Sequence, residues 1–305
     1  MKKVVIYVLS ALALAVLFFY IQIPSETKIK SCFKTSLYDV ELCSDSKNYV
    51  KLNNISSVMK RTILLTEDAS FYTHNGFDQE GIQHCFEKMK EKMKIVCGGS
   101  TITQQLAKNL FLSRDKTFYR KGLEALITVK LENTLTKKEI LEKYLNVVQF
   151  GKNIFGIKQA SQFYFKKTPA QLDAVEAAFL AMILPNPEKY SQSYYRKDLT
   201  RFARNRILRI VNDMYRYKAI SSDGYTNALN KVDYFLSSGQ NSVNAEPLLL
   251  TDEDLSEMKE EDVFVESIAK PEVIENDSKD SDPSSEPDSS ASEEELEKTF
   301  NEMTE

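Results

Sequence analysis

The chain has 305 residues, 42% of them hydrophobic and 28% charged, enough for one large or two small domains with a sizeable core. Its net charge of −4 conceals an asymmetry: the last 60 residues hold 22 Asp/Glu and 4 Lys/Arg, leaving 36 basic and 22 acidic residues in the first 245. A folded part at net +14 favours anionic partners, though nothing in it points to nucleic acid, and two histidines with four cysteines argue against a dedicated Cys/His zinc site.

Residues 4–23 are twenty uncharged residues preceded by Lys2 and Lys3. A helix of that length matches the ~30 Å hydrocarbon thickness of a bilayer, so 1–23 is expected to be an N-terminal transmembrane anchor, with a cleaved signal peptide as the alternative. The flanking lysines favour a cytoplasmic N-terminus. That places the chain in the inner membrane as a single-pass protein with its folded part on the extracytoplasmic or periplasmic side. In an oxidising compartment, Cys32 with Cys43 and Cys85 with Cys97 could form two local disulfides, or all four could stay as thiols.

Residues 24–55 are a polar connector. From 56 to 235 apolar residues recur at spacings of three and four and Gly and Pro are sparse, predicting a mainly α domain. Thr136 with Glu139 is a capping-box pattern ahead of Ile140, Leu141, Tyr144 and Leu145. Thr168, Pro169 and Gln171 form another, leading into Leu172, Val175, Phe179 and Met182, and Pro185 and Pro187 end that helix. Residues 246–305 are Ser/Asp/Glu/Pro-rich, with too little apolar surface to fold, and are expected to be a disordered acidic tail with at most a short helix at Glu293–Met303.

Three blocks carry chemistry-bearing residues. In the first, Thr66 reads as the cap of a helix beginning with Glu67 and Asp68 and closed by Gly76, which sets Glu67, Phe71 and His74 on one face. A carboxylate among apolar neighbours suits a general acid or base; an acidic first turn that favours the helix dipole is the plain alternative. The second block runs Gly98-Gly99-Ser100-Thr101 into a helix with Ile102, Leu106 and Leu110 as a buried stripe and Thr101, Gln105 and Lys108 as a polar face. Glycines at a helix start let backbone N–H groups approach an anion, although no Walker loop is present. In the third, Arg120 and Glu124 are i, i+4 neighbours beside Lys121, which alone would read as an ordinary ion pair.

In this order, and followed by ILE-x-YLN at 140–146, the stretches ED-x-x-F-x-x-H-x-G, GGST-I-TQQL-x-KN and RK-x-x-E closely resemble the peptidoglycan glycosyltransferases, which comprise the monofunctional biosynthetic transglycosylases and the glycosyltransferase domain of class A penicillin-binding proteins. The resemblance covers roughly residues 55–190. It implies a lysozyme-like helical fold with a small membrane-proximal jaw lobe. It also implies polymerisation of lipid II by inverting transfer to the 4-hydroxyl of an acceptor, with undecaprenyl diphosphate released. Glu67 matches the family's base and Glu124 its second glutamate, which orients cations or a divalent metal such as Mg²⁺. Lys108, Arg120 and Lys121 match its diphosphate-stabilising cations. Asp68, Phe71, His74, Gln105 and Asn109 belong to the same substrate site, with Ser100 and Thr101 near the substrate phosphates. The implied partners are lipid II, the nascent glycan, membrane lipid and other cell-wall synthesis proteins such as penicillin-binding transpeptidases.

Within that frame, Ile82, Phe86, Met89 and Met93 form an apolar stripe flanked by lysines, suited to lie in a membrane interface, or else to pack on its own lobe. A Cys85–Cys97 bond would tether that segment. No transpeptidase is expected: Ser-x-x-Lys occurs seven times, too often to signify, and Lys-Thr-Gly is absent. The acidic tail could compete for the basic cleft or dock on residues 196–216. The rival functional readings are a lytic transglycosylase or muramidase acting on finished glycan, which has little use for a cation cluster, and a non-catalytic lipid II-binding scaffold.

Overall fold

Helices dominate, as the apolar spacing predicts. A computed structural model provides the structure, and it describes residues 2–92, 99–232 and 234–236. The N-terminal part comprises α1 (Lys2–Gln22), α2 (Glu26–Lys30) and a ladder of β1 (Phe33–Lys34) with β2 (Glu41–Leu42). Then follow α3 (Ser57–Glu67), α4 (Gln79–Lys92), α5 (Ile102–Phe111), α6 (Phe118–Thr134) and α7 (Lys137–Val147). A second ladder, β3 (Gln149–Gly151) with β4 (Ile154–Phe155), precedes α8 (Gly156–Phe165), α9 (Ala174–Ile183), α10 (Pro187–Tyr190), α11 (Gln192–Arg196), α12 (Arg201–Arg216) and α13 (Ser222–Val232). Both ladders are antiparallel; Phe33 pairs with Leu42 and Gly151 with Ile154.

The centre of the core is α9, whose residues from Val175 to Ile183 are all buried. A helix apolar on every side needs neighbours on every side, and α3, α12 and α13 pack around it. The one acid within it, Glu176, is held by Lys167 Nζ at 2.8 Å and Lys231 Nζ at 3.3 Å. A second group, α5 against α6 and α7, adjoins this core through Ile102, Leu106 and Leu110, all fully buried.

The connector is fastened to α7. Asn146 accepts from Val50 N–H at 2.7 Å and donates to Val50 O at 2.8 Å, completing the backbone pairing that a missing strand would supply. Glu142, one turn earlier, accepts from Leu52 N–H at 2.7 Å and from the Tyr49 hydroxyl. Cys32 and Cys43 form a disulfide across the first ladder. Cys85 is disulfide-bonded too, while its expected partner Cys97 lies outside the described residues. Gly156 has φ +75°, and a Cβ there would sit 2.5 Å from Asn146 O, so only glycine lets α8 start this close to α7.

Three expectations are corrected. The first is the transmembrane anchor. Among the described residues no helix is long and apolar enough to cross a membrane. Although α1 has 21 residues, it begins with Lys2 and Lys3, and its last turn docks on protein, with Phe19 5.4 Å and Phe18 6.2 Å from the Tyr119 ring. The single-pass inner-membrane placement inferred from that anchor falls with it.

Second, Thr66 does not start a helix. The helix is capped by Ser56, whose side chain accepts from Met59 N–H, and Glu67 is its last residue; Thr66 donates back to Thr62 O at 2.9 Å. Third, the Thr168 capping box heads only a single 3-10 turn over Pro169–Gln171. The long helix takes its own cap from Asp173, which accepts from Val175 and Glu176 N–H. The Thr136–Glu139 capping box forms as expected. The acidic tail 246–305 and residues 93–98, with Met93, lie outside the described residues.

Replacing Asn146 with Ala strands the Val50 N–H and C=O in a buried site. It should lower stability by about 2–3 kcal/mol in urea denaturation, with the denaturant slope unchanged; a loss below about 0.5 kcal/mol contradicts the clamp.

Candidate active site

The site forms where the end of α3, the start of α5 and the first turns of α6 converge. Asp68 organises it. Directly after Glu67 its backbone leaves helical geometry (φ −166°, ψ 76°), and its buried carboxylate accepts from Ile102 N–H at 2.9 Å through Oδ2 and meets His74 Nε2 at 2.8 Å through Oδ1. Gly76 N–H donates to His74 Nδ1 at 3.1 Å, so the proton lies on Nε2 and is donated to Asp68. The first orphan N–H of α5 is thereby satisfied by a carboxylate from the chain itself.

The same contacts fix the start of α5. Thr101 is buried. Its hydroxyl donates to Gly76 O at 2.8 Å and accepts from Gln104 N–H, while Gln104 Oε1 accepts from Thr101 N–H, a full capping box. Gly76 has φ +89°, and a Cβ would lie 2.7 Å from Thr128 Cγ2, so this crossing of 76 over α6 requires glycine. With its N–H and hydroxyl engaged, Thr101 is part of the helix start rather than of the open face. Ser100 is exposed, and its Oγ accepts from Lys121 Nζ at 3.3 Å.

Glu67 and the cations come from different helices. Glu67 is half-buried at the C-terminal end of α3, and its Oε2 accepts from Gln105 Nε2 at 2.9 Å. On α6, Glu124 is 3% exposed and bound by Arg120 Nη1 at 2.6 Å through Oε2 and by Lys121 Nζ through Oε1. Arg120 and Lys121 are thus held at their charged ends by a buried carboxylate, and charge-assisted bonds of this kind are stronger than those of a solvated ion pair. Burial is the main cause that pushes the Lys108 ammonium below the ordinary lysine value; Glu124 opposes that shift, Arg120 and Lys121 add to it, and Glu67 opposes it more weakly. Lys108 therefore lies within the fields of Glu67 and of the whole Arg120–Lys121–Glu124 cluster. Phe71 is buried behind the site, edge-on to His74 and beneath Lys137 Nζ, 4.6 Å from its ring centre. Asn109 is buried on α5.

A divalent ion at Glu124 fits poorly. Both carboxylate oxygens are taken by cations, and an ion there would have to displace Arg120 or Lys121. Among the described residues the one group with metal-ligand proximity is Cys32, Glu41 and Cys43, whose cysteines are bonded to each other.

Two features went unread in the sequence. Tyr144, read there only as an apolar position of its helix and as part of a motif, is fully buried and donates to Gln105 Oε1 at 3.1 Å. Glu132 accepts from Thr103 Oγ1 at 2.6 Å and Lys137 Nζ at 2.8 Å, bracing α5 against α6 and α7. Spacing within a helix marks neither, because the partners lie on other helices.

Gln105 of α5, which holds Glu67, and the Arg120–Lys121–Glu124 group of α6 thus sit on helices that pack against each other. Comparison with known proteins shows the family. A family model described as Transglycosylase matches residues 35–215, more than half of the chain, and the chain belongs to that family. It is similar to the biosynthetic peptidoglycan transglycosylases of Aromatoleum aromaticum (48% identical over 156 residues, 51% of this chain), Chromobacterium violaceum (51% over 144 residues, 47% of this chain) and Acinetobacter baumannii (43% over 164 residues, 54% of this chain). The chain spans 66% and 63% of the first two relatives, just under two thirds, and 72% of the third.

Because Glu124 favours the charged form of Lys108, Glu124→Gln should lower the Lys108 titration point still further. Titration of ¹³C-methylated lysines by NMR reads this directly; a Lys108 signal that moves upward or stays fixed contradicts the shared field.

Proposed function

We propose that the chain is a peptidoglycan glycosyltransferase that polymerises lipid II, joining a lipid-diphosphate-linked glycan to the 4-hydroxyl of an incoming disaccharide with inversion at the anomeric carbon. The observation that carries this reading is geometric: Gln105, which holds Glu67, and Lys108 lie three residues apart on α5, and Arg120 and Lys121 are gathered by Glu124 on α6, the helix packed against it. A base for the nucleophile and cations for the leaving group therefore serve one reacting centre. Family membership and the named relatives support the same substrate class.

In this reading Glu67 takes the proton from the acceptor 4-hydroxyl as its oxygen forms the new bond to the donor's anomeric carbon. The bond from that carbon to the diphosphate oxygen breaks, and the diphosphate departs with the electron pair as an anion. Lys108, Arg120 and Lys121 stabilise the developing negative charge; Glu124 holds the last two in place without contacting substrate. Ser100, exposed beside Lys121, extends the polar edge toward the phosphates. No step is routed through a metal. Phe86 and Ile82 are exposed on α4, with Lys90 Nζ 4.8 Å from the Phe86 ring centre, which supports contact between this helix and the lipid part of the substrate or with membrane lipid.

With purified lipid II, Glu67→Gln should reduce polymerisation by about 10²–10⁴-fold while circular dichroism stays unchanged; an unaltered rate defeats the proposal. A second expectation concerns pH. The active form of Lys108 is charged, and burial makes it lose that charge at lower pH than an ordinary lysine. Rate should therefore fall on the alkaline side as Lys108 deprotonates. Lys108→Arg, if active, should move that limb to higher pH, and Lys108→Met should remove the limb along with most of the rate.

A further inference from the structure

The ILE-x-YLN stretch has work on two sides of α7. Glu142 and Asn146, four residues apart, face the connector and hold the backbone of Val50 and Leu52. Tyr144 lies between them in sequence and therefore about 200° around the helix from Glu142, pointing the other way, toward α5. There its hydroxyl donates to Gln105 Oε1 at 3.1 Å, and Gln105 Nε2 donates to Glu67 Oε2 at 2.9 Å. The sequence separations are 39 and 38 residues, so the relay joins three helices.

We infer that Tyr144 is a positioning residue for the reaction: through Gln105 it fixes the orientation of the Glu67 carboxylate.

The physical argument turns on the asymmetry of an amide. A glutamine side chain can present either N–H or C=O to Glu67, and only the N–H end attracts a carboxylate. A donor at Gln105 Oε1 selects that end. A phenol fits the task because it is rigid and, when buried, holds its proton. Burial, with the charges of Glu67 and Asp68 adding to it, keeps the Tyr144 hydroxyl protonated far beyond its ordinary range. The clamp on the opposite face of α7, and the capping box at its start, keep the ring from shifting. Without the hydroxyl, Gln105 can turn its carbonyl toward Glu67 or swing away, and the base loses both its alignment and a hydrogen bond to its charged form. Arg120 and Lys121 are held by Glu124 on α6 rather than by Tyr144 or Gln105, so binding of the diphosphate should be spared.

This inference rests on the proposed polymerase activity, and the experiment separates the two. Wild type, Glu67→Gln, Tyr144→Phe, Gln105→Ala and the double variant Tyr144→Phe/Gln105→Ala are assayed on purified lipid II across pH. Tyr144→Phe should lower kcat about tenfold with KM changed less than about twofold, and should move the acid limb of kcat/KM to higher pH. The double variant should be no slower than Gln105→Ala alone, because both substitutions cut one chain. An unmoved acid limb in Tyr144→Phe, or fully additive losses in the double variant, overturns the inference while a dead Glu67→Gln leaves the polymerase reading intact. A wild type that makes no glycan, or an active Glu67→Gln, instead overturns the polymerase reading itself. Should Tyr144→Phe fail to fold, Gln105→Ala, at a half-buried position, carries the test through the same shift of the acid limb.

Discussion

The architecture of the site depends on one buried carboxylate. Asp68 receives a proton-bearing nitrogen from His74 and the first free amide of α5, and in doing so bends the chain out of α3 immediately after Glu67. Were it to lose these partners, α3 could run on, the loop through Gly76 would no longer reach Thr101, and α5 would start elsewhere. An uncompensated charge in this position would cost several kcal/mol, so the network is all-or-none. Both faces of the cleft inherit their placement from it: Glu67 by being its neighbour in sequence, Gln105 and Lys108 by lying on the helix it caps.

A second carboxylate, Glu124, works on the opposite principle. It is buried so that two cations may stay near the surface. Arg120 and Lys121 each give one contact to it, while Arg120 Nε also donates to Asp115 O and Lys121 Nζ to Ser100 Oγ. Burial first, and the neighbouring Arg120 and Lys121 after it, lower the proton affinity of Lys108, and an arriving anion would restore it. In the proposed reading these cations are in place before the diphosphate arrives.

What could be read from the sequence follows the range of each interaction. The stripe Ile102, Leu106, Leu110 and the pair Arg120–Glu124 lie within one helix, where spacing alone decides which side chains meet. The order of the four motifs pointed to the family without any geometry. The helix boundary at Glu67 was misread because Thr66 followed by two acids has the local look of a start, whereas the actual stop is imposed by Ile102, 34 residues away. Thr101 carries the signature of an anion site, yet its hydroxyl is claimed by Gly76. The N-terminal helix reads as an anchor by composition, and the docking of Phe19 on Tyr119, a hundred residues on, cannot be seen there. Tyr144 was visible as a letter in a motif but not as a donor to Gln105.

The clamp between the connector and α7 also makes a load path. Val50 and Leu52 grip one flank of that helix and the phenol of Tyr144 projects from the other, so the backbone ahead of residue 57 and the carboxylate of residue 67 are linked by a single stiff turn. The N-terminal segment is fastened to α6 as well, through Phe19 against Tyr119 and Glu26 against Lys130, so tension along it would reach both the carboxylate of residue 67 and the cations of α6. The molecule is, in that sense, geared at its entrance.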